Sequence, residues 1–259
     1  MEKVFIKNRK GQRIAAIVED ATPQKGLAFV SHGLGSSKDS GRIKLIAGAF
    51  LKKGFTIVRF DTTNTYGESD GKYEESTFTN YYEDLEDVIE WARTQPWFQE
   101  PFALAGVSFG GKAVTLYAER HPERVLALVP IATGISGTLR IEASNRRDPN
   151  RIQRWKDSGW KEENSSTFPD RVYRLPWAHM EDDLKYDTLK EARKLTMPVL
   201  LIVGDRDGRT PPDHVRQLYE AIPDGKKEMR VLEGAEHVFK EDLFPIVEQT
   251  IFKWIDTLF

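Results

Sequence analysis

The chain has 259 residues, of which 39% are apolar, and its 38 basic residues are balanced by 40 acidic ones for a net charge of −2. The even balance argues against a nucleic-acid binder, which would show a basic surplus. The absence of cysteine excludes a disulfide framework, a thiolate nucleophile and a sulfur-ligated zinc. No apolar h-region opens the chain, and no segment approaches the roughly 20 apolar residues that span a bilayer. A cytoplasmic protein, monomer or homodimer, without nucleic-acid or membrane partners is therefore expected.

In chain order, Val4–Ile6 and Ile14–Val18 read as a short N-terminal meander. Leu27–Ser31 is a buried strand, and Ile43–Lys53 a helix stopped by Gly54. Thr56–Phe60 is the next strand. Across Thr79–Arg93, Tyr82, Leu85, Val88, Ile89 and Ala92 recur at helical spacing. Strands are expected at Phe102–Val107, Val125–Ile131, Val199–Val203 and Glu228–Leu232, and helices at Lys112–Arg120, Val215–Ala221 and Leu243–Leu258. This alternation of continuous apolar runs with amphipathic stretches predicts an α/β fold, a mostly parallel sheet with helices on both faces.

One region breaks the rhythm. From Gly134 to about Leu195 the chain is rich in Arg, Trp, Asp, Asn and Pro and shows no clear strand. A structureless loop of that length is uncommon in a compact domain. We therefore expect residues 1–133 and 196–259 to form the core, and 134–195 a small, partly helical cap inserted into it.

Gly106-Val107-Ser108-Phe109-Gly110 is a G-x-S-x-G sequence between an apolar strand and a helix. A serine at the apex of such a sharp turn needs small neighbours two residues away on either side, and the following helix aims its positive end at the reacting centre. The bland alternative is a glycine-rich turn that binds phosphate. As nucleophile, Ser108 needs a base and an acid to orient it. Of the five histidines, His237 lies between a strand and the last helix, at the carboxyl end of the sheet where ligands bind. His121 reads as a helix-end residue, His214 as solvated at a helix start, and His179 as a surface residue of the insertion. For the acid, Asp205 and Asp207 compete within Gly204-Asp205-Arg206-Asp207-Gly208, and spacing alone does not separate them.

Nearly the whole chain resembles the α/β-hydrolase superfamily, in particular small bacterial carboxylesterases of the cinnamoyl (feruloyl) esterase kind. The resemblance rests on Ser31-His32-Gly33-Leu34-Gly35-Ser36-Ser37, Gly67-Glu68-Ser69-Asp70-Gly71, the turn at Ser108, Gly204-Asp205-Arg206-Asp207 and Gly234-Ala235-Glu236-His237. It implies a serine esterase acting on small to medium esters through an acyl-enzyme, without metal or organic cofactor. It implies Asp207 as the acid, and an oxyanion hole from the backbone N–H groups of Leu34 and Phe109, with His32 structural. Relatives often carry Asp-x-x-Gly-His-Gly-x-Ser after the fourth strand. Here Asp61-Thr62-Thr63-Asn64-Thr65-Tyr66-Gly67-Glu68-Ser69 is one residue longer and lacks that histidine, which weakens substrate inference. A thioesterase, lipase or serine peptidase of the same fold, or a non-catalytic binding protein, are the alternatives. In the insertion, Trp155, Trp160, Phe168, Tyr173 and Trp177 read as a small core. Arg140, Arg146, Arg147, Arg151, Arg154, Arg171 and Arg174 read as solvated, the other reading being an aromatic pocket with a cationic rim. Glu181-Asp182-Asp183 reads as surface.

Overall fold

The computed structural model describes residues 1–164 and 170–258. Its eight-stranded sheet comprises β1 (Glu2–Lys7), β2 (Arg13–Glu19), β3 (Gly26–Ser31), β4 (Phe55–Phe60), β5 (Phe102–Val107), β6 (Val125–Ile131), β9 (Val199–Gly204) and β10 (Lys227–Leu232). The spatial order is β1-β2-β4-β3-β5-β6-β9-β10. Only β1 and β2 run antiparallel to their neighbours; the rest pair in parallel, as in the register Ser31 with Phe60 and with Gly106.

Parallel strands must be covered on both faces, and the side-chain alternation of β3 shows how. Leu27 and Phe29 point into one core, with α2 (Phe78–Ala92), α3 (Phe109–Arg120) and α7 (Pro212–Ala221). Ala28 and Val30 point into the other, with α1 (Gly41–Leu51) and α8 (Phe244–Asp256). The periodic residues expected of α2 are all buried. Its first turn is capped by Thr77, whose hydroxyl accepts from the Asn80 N–H at 3.1 Å.

The segment 134–195 contains the expected helices together with strands that the sequence did not mark. It holds α4 (Gly137–Arg147), α5 (Arg151–Ser158), β7 (Trp160–Asn164), β8 (Val172–Pro176) and α6 (Trp177–Asp183). β7 and β8 form an antiparallel hairpin in which Trp160 faces Pro176 and Asn164 faces Val172. The strands escaped the sequence reading because β7 is charged and only half-buried, so no apolar alternation marks it. Tyr173 and Leu175 of β8 pack with Trp155, Met180 and Tyr73 in a small separate core. Trp160 is exposed, Trp177 is half-buried, and Phe168 lies outside the described residues.

Other polar residues are also deeper than expected. His179 is fully buried, its ring stacked on Phe109 with centroids 5.4 Å apart. His214 is buried, with Glu142 of α4 3.5 Å from its Nε2. Asp182 accepts from the Thr79 N–H at 2.8 Å, and Asp183 is buried against Lys112. Only Glu181 of that acidic run is exposed. His121 stands at the end of α3, half-buried against Tyr117.

Candidate active site

β5 ends at Val107, and the chain turns directly into α3, which begins three residues earlier than the sequence pattern suggested. Ser108 occupies the corner with φ 54° and ψ −112°, a conformation strained for any residue with a side chain. The turn closes because both flanking glycines are bare. A Cβ on Gly106 would lie 2.5 Å from the Gly110 carbonyl oxygen, and one on Gly110 would lie 2.4 Å from that of His32. The corner is pinned by the Ser108 N–H donating to Ile131 and the Lys112 N–H donating to the Ser108 carbonyl.

The loop after β9 and the loop after β10 are laced together. The Asp205 N–H donates to the Leu232 carbonyl and the Arg206 N–H to the Ala235 carbonyl, each at 3.0 Å. This lacing brings Asp207 to His237. His237 Nε2 lies 3.0 Å from Ser108 Oγ, and its Nδ1 lies 2.8 Å from Asp207 Oδ2. Asp205 is exposed and turned away, so the structure separates the two carboxylates that spacing left equal. Asp207 also accepts from the N–H groups of Arg209 and Thr210, both at 2.8 Å, and from the Thr210 hydroxyl at 2.6 Å.

Burial alone would raise the Asp207 carboxyl pKa. The bond to His237, its charge and the Thr210 donors outweigh that and hold it below the usual range. For His237 burial dominates and depresses its pKa below 6.5; Asp207 opposes this, while Arg209 and Arg42 add to it. The imidazole is therefore neutral near pH 7, the form that can accept a proton. Protonation switches that ability off. The activity of a base at His237 should fall as pH drops, along a limb whose midpoint lies below 6.5. Arg209→Gln removes a repelling charge and should move that midpoint upward. The pH profile of kcat/KM for a neutral ester reads both, and a limb above 6.5 in the wild type would contradict the depressed imidazole.

The loop after β3 lies against the serine. Neither the Leu34 nor the Phe109 N–H finds an acceptor among the described residues. The buried His32 explains the orientation of the first. Its Nδ1 donates to the Gly33 carbonyl at 2.8 Å, and its Nε2 accepts from the Thr62 N–H at 3.1 Å, which fixes the tautomer. The Tyr81 hydroxyl also donates to the Gly33 carbonyl, at 3.3 Å. A planar trans peptide with its carbonyl held on one side sends the Leu34 N–H to the other. Tyr81 was legible only as a helix residue; the carbonyl it donates to lies 48 residues away in the chain.

Above Ser108 lies a cleft with up to about 1240 Å³ of free space, open mouth included. Its walls come from the core loops and from the 134–195 segment, including Trp155, Tyr173, Leu175 and Met180. The divergent loop after β4 carries Tyr66, which does not line the cleft but stacks on Tyr73 and Tyr173, which do, at centroid distances of 4.6 and 5.3 Å. The Tyr173 hydroxyl in turn donates to the Gly35 carbonyl at 2.5 Å. His179 does not line the cleft, whereas His214 does. Among the described residues no group of three or more His, Asp or Glu side chains is placed to hold a metal ion, and no helix is long and apolar enough to cross a membrane.

The strand order, the turn at Ser108 and the topology around it are those of the α/β-hydrolase fold. Residues 22–243 match the hydrolase family described as serine aminopeptidase, S33, and the chain belongs to that family. A protein of Escherichia coli, described as an uncharacterized 31.7 kDa protein in the traX-finO intergenic region, is 26% identical over 211 residues, covering 71% of this chain and 73% of that protein. Mouse palmitoyl-protein thioesterase ABHD10 is 25% identical over 201 residues, 73% of this chain and 61% of its own length. The solved structure of mouse ABHD10 superposes with a TM-score of 0.82 at 20% identity, covering all of both chains. Est1E of Butyrivibrio proteoclasticus, solved with ferulic acid bound, superposes with a TM-score of 0.79 at 19% identity over 98% of each chain.

Proposed function

We propose that this hydrolase cleaves carboxylic esters of small to medium size through an acyl-enzyme on Ser108. The observation that carries the reading is the unbroken chain Ser108 Oγ to His237 to buried Asp207, at 3.0 and 2.8 Å. In this reading His237 takes the Ser108 proton as the oxygen attacks the ester carbonyl. Asp207 holds the imidazole with its Nδ1–H toward the carboxylate and stabilises the imidazolium that forms. The Leu34 and Phe109 N–H groups receive the developing oxyanion. His237 then gives its proton to the leaving alcohol, and water repeats the sequence to release the acid. The segment 134–195 acts as the cap that sets specificity, and the ester is the partner.

The likeness to ABHD10 favours thioesters as a second reading, since the same machinery cleaves both. The peptidase in the family's description is a third. The first experiment is hydrolysis of p-nitrophenyl acetate and butyrate, with palmitoyl-CoA and an aminoacyl p-nitroanilide in parallel, by wild type and Ser108→Ala. We expect turnover of the p-nitrophenyl esters that drops to background in Ser108→Ala. Turnover confined to the thioester or the anilide replaces the ester reading with that substrate class, and equal turnover by both proteins would overturn Ser108 as nucleophile.

A further inference from the structure

The cleft is strongly cationic on a chain whose net charge is −2. Among the described residues seven Lys and Arg side chains line it, against two carboxylates, Asp183 and Glu163. Asp183 is occupied by Lys112 at 2.6 Å and Arg140 at 2.9 Å. Glu163 serves both Arg151 and Lys161. The charged neighbours of Arg147 are chiefly other cations, Arg151 and Arg209 foremost, and burial with this repulsion lowers its pKa to about 10. Burial likewise depresses the Lys161 ammonium, with Arg140, Arg151, Arg209 and Arg147 adding to the effect. Its Nζ rests 4.6 Å from the centre of the Trp155 ring.

These cations converge from different elements: Arg147 from α4, Arg151 from α5, Lys161 from β7 and Arg209 from the loop that carries Asp207. Arg209 is felt both by Lys161 and by His237, so the cluster begins beside the reacting centre. Uncompensated like charges in a partly desolvated cleft oppose folding, and a bound anion offsets that cost. We infer that the cleft takes an ester bearing a second, anionic group, a carboxylate or a phosphate monoester, which Arg147, Arg151, Lys161 and Arg209 hold while the carbonyl lies at Ser108. The scissile ester in this inference rests on the proposed function; the anion site does not.

Two matched pairs locate the anion on the acyl or the alcohol side. Mono-4-nitrophenyl adipate is compared with 4-nitrophenyl hexanoate, and 4-butyryloxybenzoate with its methyl ester. We expect kcat/KM for the anionic member of one pair to exceed its neutral partner by about ten-fold or more, as one well-placed ion pair provides. That ratio should collapse in Arg151→Met/Lys161→Met and in Arg209→Gln, two changes on separate elements, with folding of each checked by its melting curve. Calorimetric titration of wild type with adipate should show saturable binding that the double variant loses. Turnover of neutral esters without preference for either anion, together with no adipate binding, overturns the anion site and leaves the hydrolase reading intact. Adipate binding lost in the double variant, with no ester turned over, upholds the anion site and sinks the ester reading.

Discussion

Asp207→Asn should lower kcat by roughly 10³- to 10⁴-fold, the scale seen when the orienting acid of such a triad becomes an amide. The cause is directional. Asp207 Oδ2 accepts from His237 Nδ1 at 2.8 Å and so leaves Nε2 unprotonated toward Ser108. An asparagine that keeps its oxygen toward the N–H groups of Arg209 and Thr210 presents an NH₂ to the imidazole and favours the opposite tautomer. Nε2 then carries a proton and cannot accept another. Asp205→Asn changes an exposed side chain and should alter kcat by less than about three-fold, since surface changes have small effects. Steady-state kinetics on p-nitrophenyl butyrate with both variants decides the point. Comparable losses in the two, or the larger loss in Asp205→Asn, would remove Asp207 from the role proposed for it.

The largest expected effect on stability belongs to Asp183→Ala. Lys112 and Asp183 are each only 1% exposed and meet at 2.6 Å, while Arg140 reaches the other carboxylate oxygen at 2.9 Å. Removing the carboxylate leaves the Lys112 ammonium buried beside Arg140 with no counter-charge. Breaking a buried pair in this way costs about 3–5 kcal/mol, which in a domain of this size lowers Tm by roughly 10 °C. The attraction itself is not the main term. Lys112→Met/Asp183→Leu removes the fully buried ammonium together with its partner and leaves only the partly exposed Arg140 without a carboxylate, so most of the loss should be recovered. Calorimetric melting of the single and double variants tests this, and a single variant that melts within about 2 °C of wild type would show that Lys112 escapes to solvent or neutralises without cost. The bridge links α3, four residues beyond Ser108, to the 134–195 segment. Its loss should therefore also loosen the cleft wall, seen as a raised KM.

The strands and helices of the core were legible because each carries its own evidence. β3, β5 and β9 are apolar throughout, and α2 repeats its buried residues at helical spacing. Boundaries were less so. α3 begins at Phe109 because the strained corner at Ser108 passes straight into helix, and the glycines that permit this read as breakers in a propensity scan. The β7–β8 hairpin was missed because β7 is held by its ladder to β8 and alternates half-buried with exposed charged residues. His179 and Asp183 were misplaced for a related reason. Polar residues in a polar segment read as surface, yet they are covered by Phe109 and Lys112 of α3.

The sequence by itself determined the α/β layering, the sharp serine turn and a histidine at the carboxyl end of the sheet, because periodicity, glycine spacing and chain order are local properties. Only the tertiary structure decided which aspartate meets His237, which polar residues are buried, and that the cleft gathers seven cations around two carboxylates. These depend on contacts across long stretches of chain, 30 residues between Asp207 and His237 and 71 between Lys112 and Asp183. A charge acts through distance in space and through the water removed from around it, and neither quantity is written in the order of residues.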